Sequence, residues 1–409
     1  MKTALVSPYK DIPAGSEADA ILRACVHCGL CTATCPTYGL LGDERDSPRG
    51  RIYLIKQILE GRPAGRVTRF HLDRCLTCGA CETTCPSGVP YRRLLHLGRE
   101  IMERKAIRPL PARLGRLALR KVLPYPKRLS PLVGLGRAMS PLLPRALAAR
   151  IPPRKDLSDR PERFPERSLK SSRQRKVLLL EGCVQSVMTP ETNAALIRVL
   201  DRMEIGVAHE PTAGCCGALS YHASASAEAM GFMRCNIDAW WPHVAAGIKG
   251  IVVSASGCGV MVQEYGYVLR HDPDYAAKAA CVSSLVRDPV LLLAGAEERW
   301  GAIGEGRRIA FHAPCSLQHG LRLPGRVEDL LARLGFTLTE APDAHLCCGS
   351  AGAYSLLQPG LSRQLLANKL ACLEAGEPEL IVTANVGCQL HLRAGAGTPV
   401  RHWIELLDG

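Results

Sequence analysis

The feature that most restricts this chain is a cysteine run that occurs twice. Cys25-x2-Cys28-x2-Cys31-x3-Cys35-Pro36 returns fifty residues later as Cys75-x2-Cys78-x2-Cys81-x3-Cys85-Pro86. Three thiols at i, i+3 and i+6 let one tight loop wrap a corner of a small cluster. This is the run expected for two cubane [4Fe–4S] clusters. The proline after the fourth cysteine directs that sulfur away from its own loop and toward the other cluster. The first cluster is therefore expected on Cys25, Cys28, Cys31 and Cys85, and the second on Cys75, Cys78, Cys81 and Cys35. Thiolates are the soft ligands that iron–sulfur clusters need. Gly29 and Gly79 follow the second cysteine of each run, where backbone must pass close to inorganic sulfide. Structural zinc is a poorer match, because its sites use Cys-x2-Cys pairs.

The chain has 19 cysteines in 409 residues. A disulfide framework would need an oxidising compartment. The first residues, MKTALVSPYKDIPAG, lack the apolar stretch of a secretory signal, so a cytoplasmic chain with reduced thiols is expected. No run of 18 apolar residues suggests a transmembrane helix.

Charge and cysteine divide the chain. Between Arg104 and Lys176 there are 21 Lys and Arg against 4 Asp and Glu, a net +17; the whole chain carries +14, which leaves the rest at about −3. That segment holds 11 of the 29 prolines and no cysteine, and reads as a connector. Its stretch LPARLGRLALRKVLPYPKRL mixes Leu with Arg at helical spacing. Such a segment suits either an anionic membrane surface or an acidic partner subunit, and a plain solvated connector is the alternative. Nucleic acid is not expected as a partner: aromatic residues total 5% and are not interleaved with the basic ones.

Beyond the connector lies an internal repeat. Cys183, Cys215, Cys216 and Cys258 return as Cys315, Cys347, Cys348 and Cys388, and GCCGALS is echoed by LCCGSAG. Each repeat starts with a short apolar run (KVLLLEGC; RRIAFHAPC) and a helix-like stretch. A CCG turn, a second helical stretch and a β-rich run ending at the last cysteine follow. Strands alternating with helices argue for parallel α/β units, with the cysteines at the strand ends where such sheets bind ligands. Whether these cysteines hold a further cluster or zinc, or only pack, stays open at this point. Cys235, Cys281 and Cys372 fall outside the repeated set and read as core residues or bystanders. His209, His312, His345, His391 and His402 are expected to be structural, with His312 the best ligand candidate.

The expected fold class is α+β multidomain. A mostly helical two-[4Fe–4S] ferredoxin-type domain (1–105) is followed by the basic linker (106–175). Two repeated α/β CCG domains (176–305 and 306–409) complete the chain. Two clusters would form an electron wire. No Gly-x-Gly-x-x-Gly follows a strand, so flavin or hydride chemistry is expected on a partner, with no catalytic residue here.

The segments CVHCGLCTATCPTY, CLTCGACETTCPSGVPY and SPRGRIYLIK, two CCG domains in this order and the terminal PVRHWIELLDG resemble the iron–sulfur subunits of bacterial glycolate oxidase (glycolate dehydrogenase) over nearly the whole chain. The resemblance implies two [4Fe–4S] clusters on the eight cysteines above and FAD on partner flavoprotein subunits that oxidise glycolate to glyoxylate. It also implies electron transfer to quinone or another acceptor, at the cytoplasmic face of the inner membrane. The iron–sulfur subunits of anaerobic glycerol-3-phosphate dehydrogenase and of heterodisulfide reductase share the plan, and D-lactate is an alternative substrate. The heterodisulfide type closes a CCG repeat with Cys-x-x-Cys. This chain has Ala255 and Asn385 at the earlier of those positions, a departure that argues against disulfide reduction.

Overall fold

A computed structural model of the chain describes residues 1–142 and 175–408. They divide into two compact units. One comprises Met1–Arg116 with His345–Leu365, the other Leu117–Ala344 with Leu366–Gly409. The architecture is the α+β multidomain one expected, with helices at the N-terminal side and two parallel sheets after it.

The first unit is built on helices α1 (Pro13–Ala24), α2 (Pro36–Leu41), α3 (Pro48–Leu59), α4 (Arg66–Asp73), α5 (Ala80–Thr83) and α6 (Tyr91–Lys105). Helix α3 starts where it does because the Ser47 side chain accepts a hydrogen bond from the Gly50 amide and Pro48 occupies the first turn. Its buried stripe is Ile52, Ile55, Ile58 and Leu59. That stripe packs with Leu22 of α1, Leu72 of α4 and Leu94 and Leu95 of α6 into one core. Tyr53 lies on the exposed flank of the helix. Gly98 of α6 lets that helix come close to α3, since a Cβ there would stand 2.7 Å from Ile55 Cγ1.

The described part of the basic connector is helical. It contains α7 (Leu110–Val122) and α8 (Pro126–Ala138), and no residue of α7 is buried. Leu110, Leu114 and Leu117 of α7 are all exposed. The rest of the connector, residues 143–174, lies outside the described residues. Among the described residues no helix is long and apolar enough to cross a membrane.

The second unit carries the repeat. Strands β1 (Lys176–Leu179), β2 (Gly206–Ala208), β3 (Ile251–Val252) and β4 (Val286–Arg287) form one parallel sheet in the order β2-β1-β3-β4. Strands β5 (Arg308–His312), β6 (Thr337–Leu338), β7 (Leu380–Thr383) and β8 (Val400–His402) form a second in the matching order β6-β5-β7-β8. Both are therefore the same unit folded twice. One core serves both sheets: Leu179, Val199 and Leu200 from the first repeat pack with Phe311, Leu331, Val382 and Trp403 from the second. Polar contacts reinforce the junction, among them Thr192 Oγ1 to Glu405 (2.6 Å) and Trp300 Nε1 to the Leu407 carbonyl (3.0 Å).

One expectation changes in detail. The runs before the last cysteine of each repeat are only partly β. Strand β3 ends at Val252 and β7 at Thr383; Cys258 and Cys388 then sit in the first turn of the helices Ser256–Gln263 and Val386–Arg393. Ala255 and Asn385 are extended, so the chain turns from strand to helix just ahead of each cysteine.

Two glycine substitutions should separate close packing from helix propensity. Gly98→Ala should destabilise by about 1–3 kcal/mol through overpacking against Ile55. Gly231→Ala, in the helix Ser226–Ala245 with nothing within 4 Å of the added Cβ, should stabilise by about 0.5–1 kcal/mol. Thermal melts followed by circular dichroism would contradict this if the two shifts had the same sign.

Candidate metal centres

The two cysteine runs adopt the same backbone. Cys25 closes α1 in an extended conformation, and Cys75 follows α4. Two residues on, His27 and Thr77 both take φ +57°, and Gly29 and Gly79 take φ +86° and +80°. The left-handed residue turns its amide back on the first sulfur. The Thr77 amide lies 3.4 Å from Cys75 Sγ, and the His27 amide hydrogen-bonds Cys25. The following short turns, Leu30–Thr32 and Ala80–Thr83, carry Cys31 and Cys81. At the far end of the runs Thr84 Oγ1 meets Thr34 Oγ1 at 3.2 Å, so the residues preceding Cys35 and Cys85 touch.

The fourth cysteines lie across from their own runs. Cys25 and Cys31 each sit in the electrostatic reach of Cys85, and Cys81 in that of Cys35 as well as Cys78 and Cys75. A cavity is lined by Cys25, Cys28, Cys31 and Cys85, together with Cys81 of the second run. Burial pushes the Cys25 thiol up, the Cys31 thiol to about 11, and the Cys81 thiol well above its ordinary range. A buried thiol of this kind stays protonated unless a cation stands beside it, and a soft polycation reverses that balance. Eight thiols in two crossed sets of four fit two iron–sulfur cubanes in number, softness and burial.

The polar groups around these loops are not duplicated. Arg51 is 1% exposed, yet it lies on the buried side of α3. Its Nε donates to the His71 carbonyl (2.8 Å), and its Nη atoms reach Thr37 Oγ1 (3.1 Å) and Asp46 Oδ1 (3.2 Å). Buried Asp46 also takes Arg74 at 2.7 Å, and His71 Nδ1 stands 3.1 Å from it. Asp43, close by, is held by Arg45. These carboxylates are therefore spoken for by guanidinium groups. The Tyr91 hydroxyl lies 3.6 Å from Cys75 Sγ. Arg99 ties down the second loop through the carbonyls of Leu72 and Cys75 and through Thr77 Oγ1. None of these groups was singled out by the cysteine spacing. The available signal was Arg51, a charged residue in register with the apolar stripe of α3.

The segment His345–Leu365 belongs to this same unit and brings Cys347 and Cys348, both buried. The Gly349 amide lies 3.5 Å from Cys347 Sγ. Tyr354 donates to the Arg74 carbonyl at 3.0 Å. Burial raises its pKa, and Cys75 and Cys347 both add to the rise, so the tyrosine stands within reach of both sulfurs.

In the second unit the first repeat gathers its four cysteines. Cys183 Sγ and Cys215 Sγ are 3.5 Å apart. Cys215 is in turn hydrogen-bonded to Cys216, and Cys216 to Cys258. The Gly217 amide points at Cys215 Sγ (3.4 Å). A buried polar frame fixes the turn: Asn236 Nδ2 donates to the Cys215 carbonyl (2.9 Å) and Tyr265 Oη to the Cys216 carbonyl (2.9 Å). Hydrogen bonding to Cys215, then burial, pushes the Cys183 thiol well up. In the second repeat Asn385 Nδ2 donates to Cys388 Sγ at 3.4 Å, and a ring nitrogen of His312 lies within 4.8 Å of that sulfur.

The other candidates separate clearly. His312 Nδ1 pairs with Thr383 Oγ1 (2.9 Å), and burial drives its pKa down to about 3. His402 hydrogen-bonds the Ser254 carbonyl (3.1 Å), and burial lowers it to about 4. Both are neutral at pH 7, and His312 keeps a buried Nε2 without a hydrogen-bond partner among the described residues, in a group with Cys388 that could hold a metal ion. His209 pairs with Glu181, and His391 is buried. Cys235 is exposed, and Cys281 and Cys372 are half-buried, so none of the three is a core residue.

Comparison with known proteins agrees with this layout. A family model described as a 4Fe-4S dicluster domain matches residues 21–89, and one described as a cysteine-rich domain matches 177–263 and 309–393. The chain is 52% identical over 408 residues to the glycolate oxidase iron-sulfur subunit of Escherichia coli strain K12, covering 100% of this chain and 98% of that one. It is 31% identical over 401 residues to the probable glycolate oxidase iron-sulfur subunit of Bacillus subtilis strain 168, covering 91% and 89%. It is also 29% identical over 246 residues to lactate utilization protein A of Bacillus velezensis, covering 57% of this chain and 99% of that one.

Thiol reactivity tests the burial of the CCG turn. Iodoacetamide at pH 8 should label exposed Cys235 in the native chain and leave Cys215 and Cys216 unmodified. Mass spectrometry finding Cys216 labelled as fast as Cys235 would contradict the arrangement.

Proposed function

We propose how electrons are carried here from the premise that this chain belongs to the family of glycolate oxidase iron–sulfur subunits. It is an electron-transfer subunit of a glycolate dehydrogenase complex, with substrate oxidation on a partner. Cys25, Cys28, Cys31 and Cys85 are the ligands of one [4Fe–4S] cluster, and Cys75, Cys78, Cys81 and Cys35 of the other. The observation that carries this assignment is the crossing: two runs with the same backbone, each with its fourth sulfur in the reach of the opposite triplet.

Each cluster, when bound, takes up and gives up one electron and makes no bond to substrate. The chain's own residues do the rest. The left-handed turns at His27 and Thr77 aim backbone amides at sulfur, which stabilises the thiolate form. The core of α1, α3 and α6 keeps water from the first sulfur of each run, since Cys25 and Cys75 are 8% and 9% exposed. Arg99 fixes the second loop through the Cys75 carbonyl and Thr77 Oγ1.

FAD is placed on the partner flavoprotein, and quinone or another acceptor receives the electrons. Residues 1–105 act as the two-cluster domain, 106–175 as the basic connector, and 176–305 and 306–409 as CCG domains. Helix α7 supports a peripheral contact with an anionic surface at the cytoplasmic face. It exposes Leu110, Leu114 and Leu117 along one side, with exposed Arg113 beside Leu114.

In the purified complex, Cys78→Ala should remove about four of about eight irons. It should bring glycolate-dependent acceptor reduction to background, while glycolate still bleaches the flavin under anaerobic conditions. Full acceptor reduction with that cluster absent would overturn the proposal.

A further inference from the structure

The two loops match in backbone but not in surroundings, and the difference has a sign. Around the second ligand set the Tyr91 hydroxyl donates to Cys75 Sγ at 3.6 Å. Arg51 stands in the field of Cys75 and Cys35 and is almost wholly removed from water. A guanidinium stays charged even when buried, and this one is held by the Asp46 carboxylate at 3.2 Å. It also bonds Thr37 Oγ1, which lies 3.4 Å from Cys35 Sγ. Asp46 does not cancel this charge, because Arg74 shares the same carboxylate at 2.7 Å. Two guanidiniums thus face one carboxylate.

Around the first ligand set the nearest guanidinium, Arg49, is paired one-to-one with Glu44 at 2.5 Å in an exposed ion pair. Water screens such a pair strongly. No side-chain donor to Cys25 or Cys28 corresponds to Tyr91 among the described contacts.

Reduction adds negative charge to a cluster. A fixed buried cation and a donor to a ligating sulfur favour the reduced form, and so raise the potential. Burial acts in the opposite direction, and it is greater at the second set, where Cys75, Cys81 and Cys35 are buried, than at the first, where Cys28 is exposed and Cys31 and Cys85 are half-buried. Against that burial the second site sets two guanidiniums on one carboxylate and a hydroxyl donor on a ligating sulfur, whereas the first has the half-buried Met1 ammonium on the Cys25 carbonyl (2.9 Å) and no such donor.

We propose that Arg51 and Tyr91 act as positioning residues that set a potential step between the two clusters. The cluster on Cys75, Cys78, Cys81 and Cys35 is the higher of the two and the downhill, exit-side member of the wire. Electrons therefore enter at the Cys25 side. The segment beside the exit cluster is His345–Leu365, whose Tyr354 bonds the carbonyl of Arg74 and lies within reach of Cys75. The inference rests on the ligand sets proposed above.

The test is an anaerobic redox titration of the full chain with both clusters loaded, followed by EPR, with iron counted in each sample. The wild type should show two separate reduction waves. Tyr91→Phe, which keeps the ring and removes the donor, should lower the upper wave and leave the lower one in place. Arg51→Gln should lower the upper wave further, and Arg51→Lys should restore most of it. A lower wave that moves in place of the upper one would overturn the inference, as would an unmoved upper wave in Tyr91→Phe. If Arg51→Gln fails to load iron, Tyr91→Phe decides alone. A wild-type chain that binds no iron–sulfur cluster would instead sink the ligand assignment, which the iron count detects independently.

Discussion

A buried thiol becomes a thiolate only where positive charge meets it. The first unit is organised by that constraint. It holds eight sulfurs on two loops, several with their pKa pushed up by burial, and offers them backbone amides and few side-chain cations. The loops need left-handed residues at His27, Gly29, Thr77 and Gly79, conformations that strain any residue but glycine. The helices exist to hold those loops facing one another. Ser47 and Pro48 start α3 at a fixed place, and the absence of a side chain at Gly98 seats α6 against it. Strain at the loops is tolerable because a packed core and metal ligation jointly determine them.

The second unit solves a related problem by another route. Its first repeat places four cysteines past the strand ends of one small parallel sheet and fixes the CCG turn by its carbonyls. Asn236 and Tyr265 hold the main chain, leaving the sulfurs facing each other. The second repeat keeps the sheet order but sets Asn385 against Cys388, where the first repeat has Ala255 ahead of Cys258. The two repeats have thus diverged in donor chemistry while sharing one hydrophobic core.

What could be read from the sequence follows from what is local. Cysteine spacing is local, so the two cluster loops and the repeat were legible, and the parallel α/β character of the repeats followed from alternating strand-like and helix-like runs. The switch from strand to helix just before Cys258 and Cys388 was not, because short apolar runs suit a strand and a buried helix turn equally. The buried charge network was hidden for a different reason. Arg51 meets His71, Thr37 and Asp46 only after α3 and α4 have packed, and no spacing rule announces such a meeting. Membership of His345–Leu365 in the first unit is tertiary in the same sense, since nothing in LCCGSAG marks it as a neighbour of Arg74.

The central claim is that the fourth cysteine of each run serves the opposite cluster. EPR of the dithionite-reduced chain carrying single Cys→Ser changes tests it most directly. Crossed ligation predicts that Cys85→Ser perturbs the same signal as Cys28→Ser and spares the other, while Cys35→Ser behaves like Cys78→Ser. If Cys85→Ser instead perturbs the signal that Cys78→Ser perturbs, the loops do not cross and the account of this unit is wrong.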